Sequence, residues 1–306
     1  MKLLKNNYLA AALLLVLVLI LSMEASAQVR SRARSTVSGR RGAPTKYYGI
    51  TVGTGIASYF GDLCPTGDCY TRPRPQFNLG ARMSLAPNIG IRAELAYYNI
   101  SSSDAKFGDE SRKRRNLEFY ANNIELSATG QFDFVPVTLA NSRYSRRSQF
   151  NMYGFLGVGI TTNNPKVSYQ GKKYNLRTLQ TEGTKYSPVA AVVPLGIGAR
   201  IKLDVTSDIL IEAGYRYAFT DHLDDVSADK YLPASAFGNP TAYALSDRRA
   251  EVGTPLLPGH IRGNSAKKDS YYIFSVKYLY TFTKSSMARR VRSGGRGFRA
   301  RYPRYK

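Results

Sequence analysis

The chain has 306 residues, a formal net charge of +23 and a mean hydropathy of −0.31. Beyond its first residues it holds no apolar run long enough for a membrane-crossing helix, which takes roughly 20 residues, so a helical membrane bundle is excluded. Its two histidines, His222 and His260, have no cysteine or histidine partner at ligand spacing, which excludes a metal module of that kind.

Lys2 and Lys5 precede an apolar run from Leu9 to Leu21, and Ala25-Ser26-Ala27 places small residues at cleavage positions. This is the layout of an export signal, with cleavage expected after Ala27. The run is shorter than a spanning helix needs, and no cysteine follows it for lipid attachment. Residues 28–46 then carry Arg30, Arg32, Arg34, Arg40, Arg41 and Lys46 without an acid. Export places Cys64 and Cys69 in an oxidising space, where a disulfide closing a short Pro- and Gly-containing loop is expected.

From Tyr47 onward, apolar and polar residues alternate with the period of two that a barrel strand requires, one face to lipid and one to the lumen. The first strand, near Tyr47–Phe60, opposes Ile50, Val52 and Ile56 to Thr51, Gly53, Gly55 and Ala57. In the second, Phe77, Leu79, Ala81 and Met83 alternate with Asn78, Gly80, Arg82 and Ser84. The third turns Ile91, Ala93, Leu95 and Tyr97 outward and Arg92, Glu94 and Tyr98 inward. In the fourth, Ile124, Leu126, Ala128, Phe132 and Phe134 alternate with Glu125, Ser127, Thr129, Gln131 and Asp133. The fifth, near Phe150–Thr161, is rich in glycine and leaves its two faces undetermined.

The sixth, near Val189–Asp204, sends Val193, Leu195, Ile197, Ala199, Ile201 and Leu203 outward and Gly196, Gly198, Arg200 and Lys202 inward. Pro194 lacks a ladder donor, so a bulge or local break is expected there. The seventh, from Ile209, alternates Ile211, Ala213, Tyr215, Tyr217 and Phe219 with Glu212, Gly214, Arg216 and Ala218. The eighth, Tyr271–Phe282, opposes Tyr272, Phe274, Val276, Tyr278, Tyr280 and Phe282 to Ser275, Lys277 and Thr281. The expected fold is therefore all-β: an eight-stranded antiparallel transmembrane barrel of the outer membrane, over residues 47–283. A basic tail follows at 284–306, and both tails lack the apolar content for a core, so they are expected to be disordered.

Connections after the first, third, fifth and seventh strands are long, and those after the second and sixth are short. Barrels of this kind keep short turns on the periplasmic side, so both termini are expected in the periplasm. Eight strands enclose a lumen just wide enough for side chains to fill it. The inward charges Arg82, Arg92, Glu94, Glu125, Arg200, Lys202, Glu212, Arg216 and Lys277 are therefore read as a plugging ion-pair network rather than a conduction path.

No catalytic set is expected. His222 stands beside Asp221, Asp224 and Asp225, but no nucleophile motif accompanies it. An acidic loop closing the barrel mouth accounts for these residues. No cofactor and no small-molecule substrate is inferred, and export removes nucleic acid as a partner for the Arg-rich tail.

Five segments carry a family resemblance. They are Tyr59-Phe60-Gly61-Asp62-Leu63, Arg114-Arg115-Asn116-Leu117, Thr181-Glu182-Gly183, Val193-Pro194-Leu195-Gly196-Ile197-Gly198, and Thr220-Asp221-His222-Leu223-Asp224-Asp225-Val226-Ser227 leading to Tyr231. In this order they resemble the PorG-like outer-membrane barrels associated with the type IX secretion system. The resemblance implies a non-enzymatic barrel that helps anchor a periplasmic ring formed by a lipoprotein and its partner. It implies no catalytic residues, and the Arg-rich tail beyond Phe282 departs from its pattern. A generic OmpA-like structural barrel, or a small porin or transporter, is the alternative with the same barrel physics. In the docking reading the tail arginines Arg289, Arg290, Arg292, Arg296, Arg299, Arg301 and Arg304 are the candidate partner contacts, since guanidinium forks suit carboxylate or phosphate.

Overall fold

The computed structural model describes residues 47–64, 73–106, 109–137, 149–204, 206–255, 258–265 and 268–282. The expected export signal, both basic segments, Cys69 and most of the Val135–Ser148 linker lie outside the described residues.

Alternation drives the architecture. Strands β1 (Tyr48–Phe60), β2 (Arg74–Ser84), β3 (Ile89–Ser103), β4 (Glu118–Asp133), β5 (Phe150–Thr162), β8 (Val189–Lys202), β9 (Ser207–Ala218) and β10 (Ser270–Phe282) pair antiparallel around a ring. The order runs β3-β2-β1-β10-β9-β8-β5-β4, and pairing of β3 with β4 closes it. Closure leaves no strand edge in the wall, the condition for sheet to survive in lipid. The eight strands expected from the sequence are these eight. Two short strands, β6 (Lys166–Tyr169) and β7 (Lys172–Asn175), form an additional hairpin in the third long connection, reaching β4 through the pair Tyr120↔Lys166.

Each barrel strand shows one buried and one exposed face, with the assignments expected above. The glycine-rich β5 is resolved as well: Asn151, Tyr153, Phe155 and Thr161 turn inward, while Met152, Leu156, Val158 and Ile160 stand outside. Leu156 and Val158 are 61% and 67% exposed, in a belt continued by Val52, Phe77, Ile197 and Phe274. A continuous apolar belt around a closed sheet, with the charges inside, is the inverse of a soluble barrel and is a lipid-facing surface.

At Pro194 the register does not shift. Leu156↔Leu195 and Gly159↔Val192 belong to one register, and only the pairs between them are missing. The proline thus breaks the β5 ladder locally without a bulge, and on its other side it stays in register opposite Arg216.

Tyr48 pairs with Phe282, so both chain ends leave from one end of the barrel. That end also carries the tight turn in which Leu85 and Ala86 donate to the Ile89 carbonyl. The four long connections gather at the opposite end.

The β1–β10 seam is closely set. A Cβ placed on Gly55 would stand 2.0 Å from the Phe274 carbonyl oxygen, a backbone atom that cannot swing aside. Gly55→Val is expected to cost at least about 1–3 kcal/mol through forced strand separation. A urea titration of the refolded barrel, followed by the heat-modifiable gel band, measures the loss; a midpoint matching the parent would contradict this seam.

Candidate functional site

The strands bring a column of charge into the lumen. At the short-turn end, Asp133 is held between two arginines, Arg82 Nη2 to Oδ2 and Arg200 Nη2 to Oδ1, each at 3.0 Å. Gln131 donates to Asp133 at 3.0 Å and accepts from Arg82 Nε at 3.1 Å. Asp208 lies 3.9 Å from Arg200.

In the middle, four charges from three strands interlock: Arg92 and Glu94 on β3, Glu212 on β9 and Lys277 on β10. Lys277 Nζ is 2.6 Å from Glu94 and 2.7 Å from Glu212. Arg92 is 3.3 Å from Glu94 and also pairs with Glu212. The Tyr153 hydroxyl donates to Glu212 at 2.6 Å. Above them Glu125 accepts from Tyr271 at 2.7 Å, with Arg216 3.7 Å away, and the Tyr98 and Tyr271 rings stack at 4.6 Å.

Among the described residues, Arg82, Arg92, Arg200, Arg216 and Lys277 thus meet Asp133, Asp208, Glu94, Glu125 and Glu212. Cations and carboxylates match in number, and all are buried. Burial makes an unpaired charge costly by several kcal/mol, so the match in number is what makes this lumen tolerable.

Lys202 is the exception to the network read from the sequence. It is only half-buried, at the strand end, and shares none of the described ion pairs, because the wall there is open to solvent that can hydrate an ammonium. Asp133 and Asp208 belong in the network instead. The alternation turns Asp133 inward, whereas Asp208 lies just before the seventh strand as read from Ile209; the strand in fact begins at Ser207 and carries it.

At the long-loop end a second polar cluster ties connections together. Glu182 of 163–188 receives the Ser227 and Ala228 amides at 2.5 and 2.8 Å and Arg262 at 2.7 Å on one oxygen. Its other oxygen receives the Ser227 hydroxyl at 2.5 Å and meets His222 Nδ1 at 2.9 Å. Burial alone would raise its pKa, but the His222 hydrogen bond, the Arg262 charge and the other donors hold it down at about 2.

Ser227, His222 and Glu182 do not form a nucleophile relay. A relay places the hydroxyl and the carboxylate on opposite imidazole nitrogens. Here both sit on Nδ1, at 2.7 and 2.9 Å, and the serine gives its proton directly to the glutamate. The imidazole instead stacks on Tyr186 with ring centroids 4.4 Å apart. The arrangement is a clasp between two loops. The neighbouring aspartates expected around His222 turn elsewhere: Asp225 accepts from Tyr186 at 2.7 Å and from Thr181, and Asp224 accepts from Tyr59.

The Tyr59 hydroxyl lies 2.6 Å from Asp224 Oδ2 and 2.7 Å from Asp269 Oδ1. One hydroxyl proton serves one acceptor, so one of these buried carboxyls carries a proton and donates it back. Cys64 is buried beside this cluster; its expected partner Cys69 lies outside the described residues.

The model of the family described as Domain of unknown function (DUF6089) matches residues 40–242, which include strands β1 to β9. The chain belongs to that family. No curated protein matches it. Among solved structures it is similar to Neisserial surface protein A, at 9% identity and a TM-score of 0.40, covering 77% of this chain and 97% of that one. It is similar to OprG, the outer membrane protein from Pseudomonas aeruginosa, at 12% identity and a TM-score of 0.38, covering 78% and 97%. The Ail protein of Yersinia pestis, solved with the heparin analogue sucrose octasulfate, matches at 12% identity and a TM-score of 0.37, covering 78% and 99%.

The loop cluster of this DUF6089 member is linked to protons in two opposing ways. Burial and neighbouring acids raise Asp224 to about 6, Asp225 to about 7 and Asp221 to about 8, and lift Asp269 well above the usual 3.8. Between 3.8 and these values the closed cap retains protons that an open one releases, so its stability is lost as pH rises through about 6 to 8. Glu182 works in the other direction: its contribution is present above its ordinary 4.5 and is lost as pH falls towards 2. Limited proteolysis of the 219–269 connection is therefore expected to be slowest near about pH 4, where the two opposing contributions cross, and faster at about 8.5. Glu182→Gln should raise the rate and weaken its acid-side dependence; a flat pH profile in the parent would contradict the linkage.

Proposed function

We propose that this chain is a non-enzymatic outer-membrane barrel that docks periplasmic components of a type IX protein secretion complex through its rim and tails. One observation carries the non-conducting half of this reading. The buried charges of the lumen neutralise one another across the barrel axis, so an ion entering would have to break pairs it cannot replace. A barrel closed in this way acts at its surfaces.

The docking half rests on the sequence. The ordered motifs around Tyr59, Arg114, Thr181, Val193 and Asp221 resemble the PorG-like barrels, whose association with a periplasmic ring supplies the partner class. Both chain ends leave the barrel at its short-turn end, which is the periplasmic end in this reading. The tails then place Arg289, Arg290, Arg292, Arg296, Arg299, Arg301 and Arg304 where acidic ring proteins, including a lipoprotein, are reached. Such contacts are salt-sensitive.

Purified barrel in planar bilayers is expected to give no stable single-channel steps. Deleting Met287–Lys306 should leave the barrel folded, lower recovery of ring components from native membranes and reduce secretion. Large stable conductance would favour the porin alternative. Unchanged recovery and secretion after the deletion would remove the tails from the docking surface.

A further inference from the structure

Above the lipid belt the wall does not end evenly. The last β2–β3 pair is Gln76↔Tyr98, whereas β3–β4 pairing continues to Ser103↔Glu118. The β6–β7 hairpin joins β4 through Tyr120↔Lys166, so four strands rise together as a shelf beyond the ring. Tyr97 and Ile124 pair on the lipid face and form the last apolar rung of β3 and β4. By parity the outward positions beyond them are Asn99 and Ser101 on β3 and Asn122, Tyr120 and Glu118 on β4. Tyr120 is four residues past Ile124, roughly 13 Å along the strand at ~3.3 Å per residue. With strands tilted by ~40°, it stands about 10 Å above the apolar boundary.

Tyr120 is the aromatic centre of that outer face. The residue is half-buried, and its hydroxyl has no hydrogen-bond partner among the described residues. A groove of about 440 Å³ runs beside it, lined also by Ser101, Glu118 and Ser168. The volume falls within the range of small-ligand sites. The groups around the ring mix donors and acceptors. Asn122 and Ser168 are exposed, and their side chains share none of the described hydrogen bonds. Asn99 Oδ1 is also unpaired among the described residues. Glu118 gives one oxygen to Arg248 at 3.0 Å and keeps the other free.

This set suits a polyol and not an anion. A sugar hydroxyl both donates and accepts, so it can satisfy an amide, a hydroxyl and a carboxylate oxygen alike. Glu118 would repel an oxyanion, whereas its free oxygen accepts readily from a hydroxyl. The C–H face of a pyranose is apolar and lies flat on an aromatic side chain that has an apolar body and a polar tip. The height agrees. The headgroup layer adds only roughly 5–8 Å to each side of the hydrocarbon core, so Tyr120 stands beyond it. Sugar units of a glycolipid, or of a glycan chain lying on the membrane, occupy that level.

We infer that the outer face of this shelf, around Tyr120, binds an uncharged saccharide, carried by a glycolipid headgroup or by a free glycan chain. Tyr120 stacks on the sugar ring, and Asn122, Ser168 and Glu118 hold its hydroxyls. Arg74 lies at the groove edge with its Nε bound to Ser101 at 2.8 Å and takes no part. The inference stands apart from the docking proposal, which uses the other end of the barrel.

The full mature protein is placed in phosphatidylcholine nanodiscs, and maltohexaose, mannohexaose and galactohexaose are each titrated calorimetrically. In a second set the nanodiscs contain digalactosyl diacylglycerol, and the lipids retained on the released barrel are read by native mass spectrometry. At least one of these four probes is expected to bind, with an affinity unchanged between about 50 and 500 mM salt, since no charge pair forms. Tyr120→Ala should weaken binding about tenfold. Asn122→Ala with Ser168→Ala, two changes at exposed positions, should weaken it about fivefold. Arg74→Gln should leave it unchanged, and the heat-modifiable band reports folding of every variant. Glycolipid retention without binding of a free hexaose keeps the site and assigns it lipid-linked sugar; the reverse assigns it a free glycan. Binding of none of the four probes, equal binding by the parent and both site variants, or a loss in Arg74→Gln as large as in Tyr120→Ala would overturn the site.

Discussion

A ring of eight strands leaves no room for water-filled space between facing side chains, so whatever the alternation turns inward must satisfy itself. That constraint organises this molecule. The outer face is free to be apolar because the lipid asks nothing else of it. The inner face receives Arg, Lys, Glu and Asp from β2, β3, β4, β8, β9 and β10, and these can stay charged only by meeting across the axis. Lys277 on β10 bridges Glu94 on β3 and Glu212 on β9, three strands whose side chains meet only because the sheet is closed. The network therefore depends on closure and at the same time pins the register that closure requires, since a one-residue slip would send each charge to the lipid face.

The same logic changes character at the long-loop end. There the polar groups come from connections, and acids outnumber the cations near them. Glu182 is satisfied by donors on every side, whereas Asp224 and Asp269 share the Tyr59 hydroxyl and retain a proton. The lumen is balanced by opposite charge and the cap partly by protonation. The cap is accordingly expected to loosen as pH rises, since its raised carboxyls must then give up their protons. At the opposite end β1 begins at Tyr48 beside the last residue of β10, Phe282.

Much of this was legible in the sequence, for a physical reason. A strand exposed to lipid on one side and packed on the other must alternate, and seven of the eight strands do so clearly enough to assign Arg82, Arg92, Glu94, Glu125, Arg200, Glu212, Arg216 and Lys277 to the lumen. In β5 the glycines at 154, 157 and 159 have no side chain to mark a face, and the inward Tyr153 and Phe155 are apolar enough to mimic lipid contacts. The β6–β7 hairpin lay within a long connection; its cue was Gln170-Gly171, both with positive φ, which is hairpin turn chemistry. Partners across loops were not legible. Glu182 lies forty residues from His222, and no local pattern announces that a loop clasp will bring them to 2.9 Å. Lys202 had inward parity but sits where the wall ends, a distinction that periodicity alone does not make.

The account turns on whether the central charges hold the barrel through mutual satisfaction. Equilibrium unfolding in urea, from lipid vesicles, measures this on two variants. Lys277→Met leaves Glu94 and Glu212 short of a cation in a dry lumen, and a loss of about 3–5 kcal/mol is expected. Replacing the whole group, with Arg92→Met, Glu94→Leu, Glu212→Leu and Lys277→Met together, leaves no charge unpaired and should be less destabilising than the single change. A single variant within about 1 kcal/mol of the parent, or a fourfold variant that is the less stable of the two, would contradict a lumen held by its internal charge balance.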